Sequence, residues 1–274
     1  MLRDITLGQY YPAKSVIHQL DPRVKLVTTM IFIISLFVAK GAAGYVIATV
    51  FLAAVIRMSK VPFRFMTKGL KAIMMLLLVT VAFNLFLIDG DVVLWRFGFL
   101  RITDKGVRTA IFMAVRLIYL ILGSSVMTLT TTPNDLTDGL EKLLGPLKVL
   151  RVPVHEISMI MSIALRFIPI LLEETDKIMK AQIARGADFE SGNLIQKAKA
   201  MVPLLVPLFI SAFRRANDLA MAMEARCYRG GEGRTKMKPL HYESRDRMAY
   251  AVVWGYLAVM IVAGRLLAGY FPFS

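Results

Sequence analysis

Acid is scarce in this chain. Nineteen Asp and Glu face 34 Lys and Arg over 274 residues, a formal net charge of +15. Such an excess suits an anionic partner, either nucleic acid or the charged face of a membrane. Cysteine is nearly absent: Cys227 stands alone, which excludes a disulfide within the chain and leaves no thiolate metal site. Histidine is almost as sparse. His18, His155 and His241 lie far apart without ligand spacing, so no metal site is expected. Catalytic signatures are missing as well. There is no HExxH, no GxSxG elbow and no carboxylate pair inside an apolar run. The glycine-rich stretch 230–236 does not fit the phosphate-binding P-loop, so neither an enzyme nor a nucleotide site is expected.

Apolar surface is what the chain has in excess. It is 57% hydrophobic, with a mean hydropathy of +0.60, where a soluble domain is about 45–50% apolar. One core cannot bury that excess; a bilayer can. The basic charge then belongs to cytoplasmic loops. No soluble basic domain separates from the apolar runs, so nucleic acid is not expected as a partner.

Five apolar runs read as membrane spans: 24–39, 43–56, 69–88, 107–129 and 248–268. The second is short by itself but extendable to about the 17–20 residues a span needs. The first has no small-residue cleavage site behind it and reads as a retained span. Arg57, Lys60, Arg64, Lys68 and Lys71 lie around the second connection without an acid among them. The third connection mixes Asp89, Asp91 and Asp104 with Arg96, Arg101, Lys105 and Arg108, beside the interface-type Trp95. The first of these connections is expected inside and the second outside, which places the N-terminus in the cytoplasm and residues 271–274 outside. Arg116 lies in the fourth run, and no acid lies in any of the five. It is expected to snorkel to the outer surface or to meet an acid of the cytoplasmic helices; no role is assigned to it.

The long stretch before the last span is different. Residues 130–247 hold 18 Lys and Arg against 14 Asp and Glu. Asn134 is expected to cap a short amphipathic helix that ends at Leu144 before Gly145-Pro146. Two long helices follow, 154–184 and 195–226. Each has an apolar first half and a charged second half, with Gly186 at a C′ position after the first. Pro169, Pro203 and Pro207 are expected to kink the apolar halves. Ala212, Ala216 and Ala220, at i, i+4 and i+8, form a smooth ridge suited to a helix crossing. A hairpin lying on the membrane surface is the simpler reading, but it gives no reason for long charged ends. The fold class expected is therefore all-α and polytopic, with about five transmembrane helices. The N-terminal segment and four spans occupy 1–130, cytoplasmic helices 131–246, and a last span 247–274.

The charged ends of the two long helices match. Residues 175–186 end Ile-Ala-Arg-Gly and residues 216–227 end Glu-Ala-Arg-Cys. Each arginine has small neighbours, so it can reach into a partner's groove unshielded. An arginine at a helix C-terminus also complements the macrodipole, which is the plainer reading of either one.

With Leu20-Asp21-Pro22-Arg23-Val24-Lys25-Leu26 ahead of the first span, Ala184-Arg185-Gly186, and Glu224-Ala225-Arg226-Cys227-Tyr228-Arg229-Gly230-Gly231, the chain resembles the transmembrane T components of energy-coupling factor transporters. The resemblance covers nearly its whole length. It implies that Ala184, Arg185 and Gly186, and likewise Ala225, Arg226 and Cys227, dock into two cytoplasmic ABC-type ATPases. It implies a second partner in the membrane, a substrate-binding S component that delivers a vitamin or metal ion. The ATPases bind ATP and Mg; this chain carries no cofactor. The two helices act as levers, with 159–172 and 201–213 facing the S component, and several of the 17 methionines there suit changing partners.

One residue departs from the pattern: Cys227 replaces the family's glycine, which alone takes a left-handed backbone at low cost. Asp21 and Pro22 read as the cap and first residue of the first helix, with Arg23 and Lys25 completing the motif. Residues 5–10 and 15–18 look like the T component shared among S components, more than the cobalt- or biotin-dedicated versions. Two rivals stand beside this reading. A secondary transporter would show ionisable groups at the midplane, where this chain has only Arg116. A membrane scaffold or insertase lacks a reason for matched arginine ends.

Overall fold

The computed structural model describes residues 10–39, 41–88, 93–97, 100–189, 193–231, 233, 237 and 239–267. Residues 5–9, Asp89, Asp91 and 271–274, which carry expectations above, lie outside these. Helices dominate in chain order: α1 Pro22–Val38, α2 Gly41–Ser59, α3 Phe63–Leu87, α4 Asp104–Thr130, α5 Pro133–Leu143, α6 Val154–Ala184, α7 Leu194–Ala225 and α8 Ser244–Leu267. Among the described residues the strands are β1 Val93–Phe97 and β2 Leu100–Thr103, an antiparallel pair between α3 and α4.

The described residues separate into two compact units, one formed by those of 10–139 and 240–267, the other by those of 140–239. In the first, α1, α2, α4 and α8 enclose a core of Phe32, Leu36, Ala48, Leu52, Leu122, Val126 and Met260. Phe51 stacks on Tyr256 with ring centroids 4.1 Å apart. The Tyr256 hydroxyl is 2.9 Å from Ser35 Oγ, so two polar groups buried among apolar helices satisfy each other. Arg116 is half-buried, and among the described residues no acid pairs with it. Its Nε donates to the Tyr45 hydroxyl at 3.0 Å, and its guanidinium lies 5.4 Å from the Phe37 ring centroid. A phenol and an aromatic face solvate the cation.

By length and composition, α2, α4, α6 and α8 can each cross a membrane, and a bent α3 makes a fifth. This differs from the expected five in two places. α1 has 17 residues, about 25 Å at 1.5 Å per residue, at the lower limit of what a span needs, and is not among those five. α6 has 31 residues and an apolar first half, so it qualifies by length although it was assigned to the cytoplasm. α3 turns by 61° between Lys71 and Ile73, shortly after Gly69.

The start of α5 also differs. Thr132, not Asn134, is the cap: its Oγ1 accepts from the Asp135 N–H at 3.2 Å and donates to Asp135 Oδ2 at 2.7 Å. Pro133 then takes the first helical position, where its missing N–H costs nothing. The helix stops at Leu143, and Gly145–Leu150 continues as a 3-10 turn.

Candidate functional site

In the second unit, α6 and α7 run unbroken through Pro169, Pro203 and Pro207 and pack on each other in opposite senses. Glu174 of α6 accepts from Ser211 at 2.6 Å and from Arg215 at 2.5 Å on α7. Eight residues further along α6, Gln182 makes a long 3.5 Å contact to the Pro203 carbonyl, eight residues back along α7 from Ser211. That carbonyl is free because Pro207, four residues on, has no N–H to offer it. The charged half of α6 therefore lies beside the apolar half of α7. The two C-terminal ends leave the contact in opposite directions.

The expected alanine ridge is not the contact surface. Ala216 and Ala220 are exposed and Ala212 is half-buried. The neighbouring row carrying Ser211 and Arg215 faces α6 instead, because it holds the donors that the Glu174 carboxylate requires. One numerical relation ties this contact to the helix ends. The 41-residue offset that lays Arg185 on Arg226 also lays Glu174 on Arg215. The ion pair thus joins corresponding positions of two matching helices. Each arginine end lies eleven residues past it, roughly 16 Å along its own helix.

The two ends have the same backbone. After α6, the Gly186 N–H donates to Ile183 O at 2.9 Å and the Ala187 N–H to Gln182 O at 3.0 Å. After α7, the Cys227 N–H donates to Glu224 O at 2.8 Å and the Tyr228 N–H to Met223 O at 3.0 Å. Both are Schellman closures, which require a left-handed residue at C′. Gly186 supplies it with φ +88, and Cys227 supplies it with φ +56. The cysteine was expected to resist this conformation. It adopts it because two hydrogen bonds to otherwise orphaned carbonyls outweigh a side-chain clash of about 1–2 kcal/mol. Arg185 and Arg226 are the cap residues, φ −89 and −92. Both are exposed, and among the described residues neither guanidinium has a hydrogen-bond or ion-pair partner. Neither bonds its own helix end, although complementing the dipole was the plainer reading.

Beside this, α7 presents Met201, Val202, Leu205, Val206, Phe209 and Phe213, all more than half exposed. Their i, i+1, i+4, i+5 spacing makes one continuous apolar stripe. On α6 the exposed large apolar residues are fewer: Ile157, Ile160 and Met161 in its apolar half and Ile183 near its end.

The N-terminal motif lies wholly in the first unit, away from the arginine ends in sequence, and its contacts are structural. Asp21 caps α1, with Oδ1 accepting from the Arg23 N–H at 2.8 Å and Pro22 at the first helical position. Arg23 grips the same carboxylate, Nη2 to Oδ2 at 2.7 Å, and stacks 3.8 Å over the Tyr242 ring. Lys25 is buried and donates to Thr130 O at 2.8 Å and His18 O at 3.0 Å. Its charge sits at the C-terminus of α4, where carbonyls lack partners. His18 donates from Nε2 to Tyr11 O, which leaves Nδ1 to accept from Ser15. Burial pushes this imidazole below its usual range, opposed by the Tyr11 carbonyl and reinforced by Lys25.

Two groups that complete these sites were not singled out from sequence. Asp246, buried in the first turn of α8, accepts from the Asp21 N–H at 2.9 Å and from Glu243 N–H at 2.8 Å. Its signal was faint: an acid in the first turn of an apolar helix. The Glu174–Arg215 pair had a stronger one, since the alignment that matches the arginine ends sets opposite charges against each other.

Residues 13–237 fit the family model described as CbiQ, cobalt transport protein. The chain is 57% identical over 250 residues to a protein of Clostridium kluyveri named energy-coupling factor transporter transmembrane protein EcfT, covering 91% of this chain and 93% of that one. It is 53% identical over 266 residues to the protein of that name from Thermosediminibacter oceani, covering 97% and 100%. With the Bacillus subtilis protein of that name it shares 48% over 246 residues, covering 90% and 93%.

Proposed function

The chain belongs to the CbiQ/EcfT family of transporter membrane proteins, and from that premise we propose that it is the energy-coupling subunit of an ECF-type ABC importer in the cell membrane. It catalyses nothing itself. Two cytoplasmic ATPases hydrolyse ATP with Mg; α6 and α7 take up their closure; an S component in the bilayer releases a vitamin or other micronutrient inward. Arg185 docks in one ATPase and Arg226 in the other.

The observation that carries this reading is the pair of identical helix closures, each holding out an exposed arginine that has no partner among the described residues, on opposite sides of the Glu174–Arg215 contact. Arginine suits the role, since it stays charged and its planar fork grips carboxylates or carbonyls at two points. The apolar stripe of α7 is the face offered to the S component and the lipid.

Replacing either arginine removes a charged hydrogen bond of about 1.5–3 kcal/mol, so ATPase affinity falls roughly ten- to hundredfold. Co-purification with the ATPases and substrate uptake both read this. Arg185→Ala and Arg226→Ala should lose both, while Lys199→Ala loses neither. Full uptake by the double arginine variant would overturn the proposal.

A second reading is favoured by the family description, which names cobalt. A dedicated T component would co-purify with a single kind of S component; a shared one would bring several.

A further inference from the structure

The chain that leaves the Arg226 tip returns to the start of α6. Gly231, five residues past Arg226, packs on the His155 ring so closely that a Cβ on it would sit 2.3 Å from Cδ2 and 2.7 Å from Cγ. No side chain fits there unless the ring moves. The ring is not free to move. His155 Nδ1 is 3.1 Å from Glu141 Oε1, and Ser158 Oγ donates to Glu141 Oε2 at 3.0 Å. One carboxylate of α5 thus fixes two side chains one turn apart on α6. Nδ1 spends its proton on Glu141, and among the described residues the buried Nε2 has no partner. An orphaned polar atom of this kind is uncommon in folded proteins, and it marks a ring placed for its shape. Between tip and seat the backbone turns twice through left-handed residues, Cys227 and Gly230.

We propose that His155, held by Glu141 and Ser158, is a positioning residue: it seats Gly231 and thereby fixes where the Arg226 tip lies relative to α6. This inference rests on the docking role given above to Arg226. It makes the Arg226 tip mechanically continuous with the N-terminal end of α6, so a displacement of that tip is delivered to the apolar half of the other long helix.

Cys227 is the chain's one cysteine and is exposed, immediately beside Arg226. A nitroxide on it in the full-length chain, in lipid nanodiscs, reports directly on the mobility of the backbone between Arg226 and Gly231. Gly231→Ala should free the label, because the added methyl cannot share space with the ring. His155→Ala should also free it, by removing the seat. The double variant His155→Ala/Gly231→Ala should restrict it again, since the methyl fills the space the ring vacates; a merely local loss of stability would add up and not reverse. In the complex with ATPases, uptake should follow the same order, falling about tenfold in Gly231→Ala, the scale of one lost contact, and recovering in the double variant. If Gly231→Ala does not fold, His155→Ala alone decides the matter through the label. Wild-type label mobility in His155→Ala, or no recovery in the double variant, overturns the seat. Should the labels behave as expected while Arg226→Ala still binds ATPases, the seat stands and the docking role falls.

Discussion

Cys227 shows how one residue can carry a cost without changing a fold. The Schellman closure after α7 needs a left-handed residue, and cysteine adopts that region at φ +56. Glycine would relieve about 1–2 kcal/mol of steric cost and give back about 0.5–1 kcal/mol of extra unfolded-state freedom. Cys227→Gly is therefore expected to raise the apparent Tm by about 1–3 °C. A lower Tm would mean that the thiol makes a contact worth more than the strain. Arg116 teaches a different lesson. Its partners, the Tyr45 hydroxyl and the Phe37 face, are uncharged and lie on α2 and α1. A search for acids could not have found them.

At the scale of elements, the charged half of α6 is held to α7 by Glu174 with Ser211 and Arg215, and by the longer contact from Gln182 to the Pro203 carbonyl. The Glu174–Arg215 side chains keep 24% and 39% of their surface exposed, so screening by solvent limits what the charge attraction contributes. Its value lies in register. Shifting one helix by a turn would strand the carboxylate away from both Arg215 and Ser211. Glu174→Arg and Arg215→Glu should each destabilise the chain and lower uptake. The double exchange should recover part of the loss, with a coupling of about 1 kcal/mol in a thermal or denaturant double-mutant cycle. Strictly additive losses would show that the ion pair does not set the register.

At the scale of the whole molecule, the proposed docking of Arg226 in an ATPase predicts that the charged end of α7 is cytoplasmic, as the positive-inside rule expects. The single cysteine reads this directly. In cells making the chain without ATPases, a membrane-impermeant maleimide should label Cys227 only after the membrane is opened or inverted. Labelling of intact cells would reverse the orientation and remove the ATPases from reach of Arg226.

The sequence by itself determined that the chain is helical and membrane-bound, because hydropathy runs and loop charge are local properties that need no partner to be read. It also determined the bounds of α6, since Gly186 ends it where a left-handed residue must stand, and it marked the two arginine ends by their similarity. Only the tertiary structure decided the rest. It set α6 against α7 in opposite senses, replaced the alanine row by the Ser211–Arg215 row, drew Asp246 to the cap of α1, and laid Gly231 on His155. Those outcomes depend on which faces satisfy buried or half-buried polar groups across 14 to 225 residues of sequence, and local pattern carries no information about distances through space.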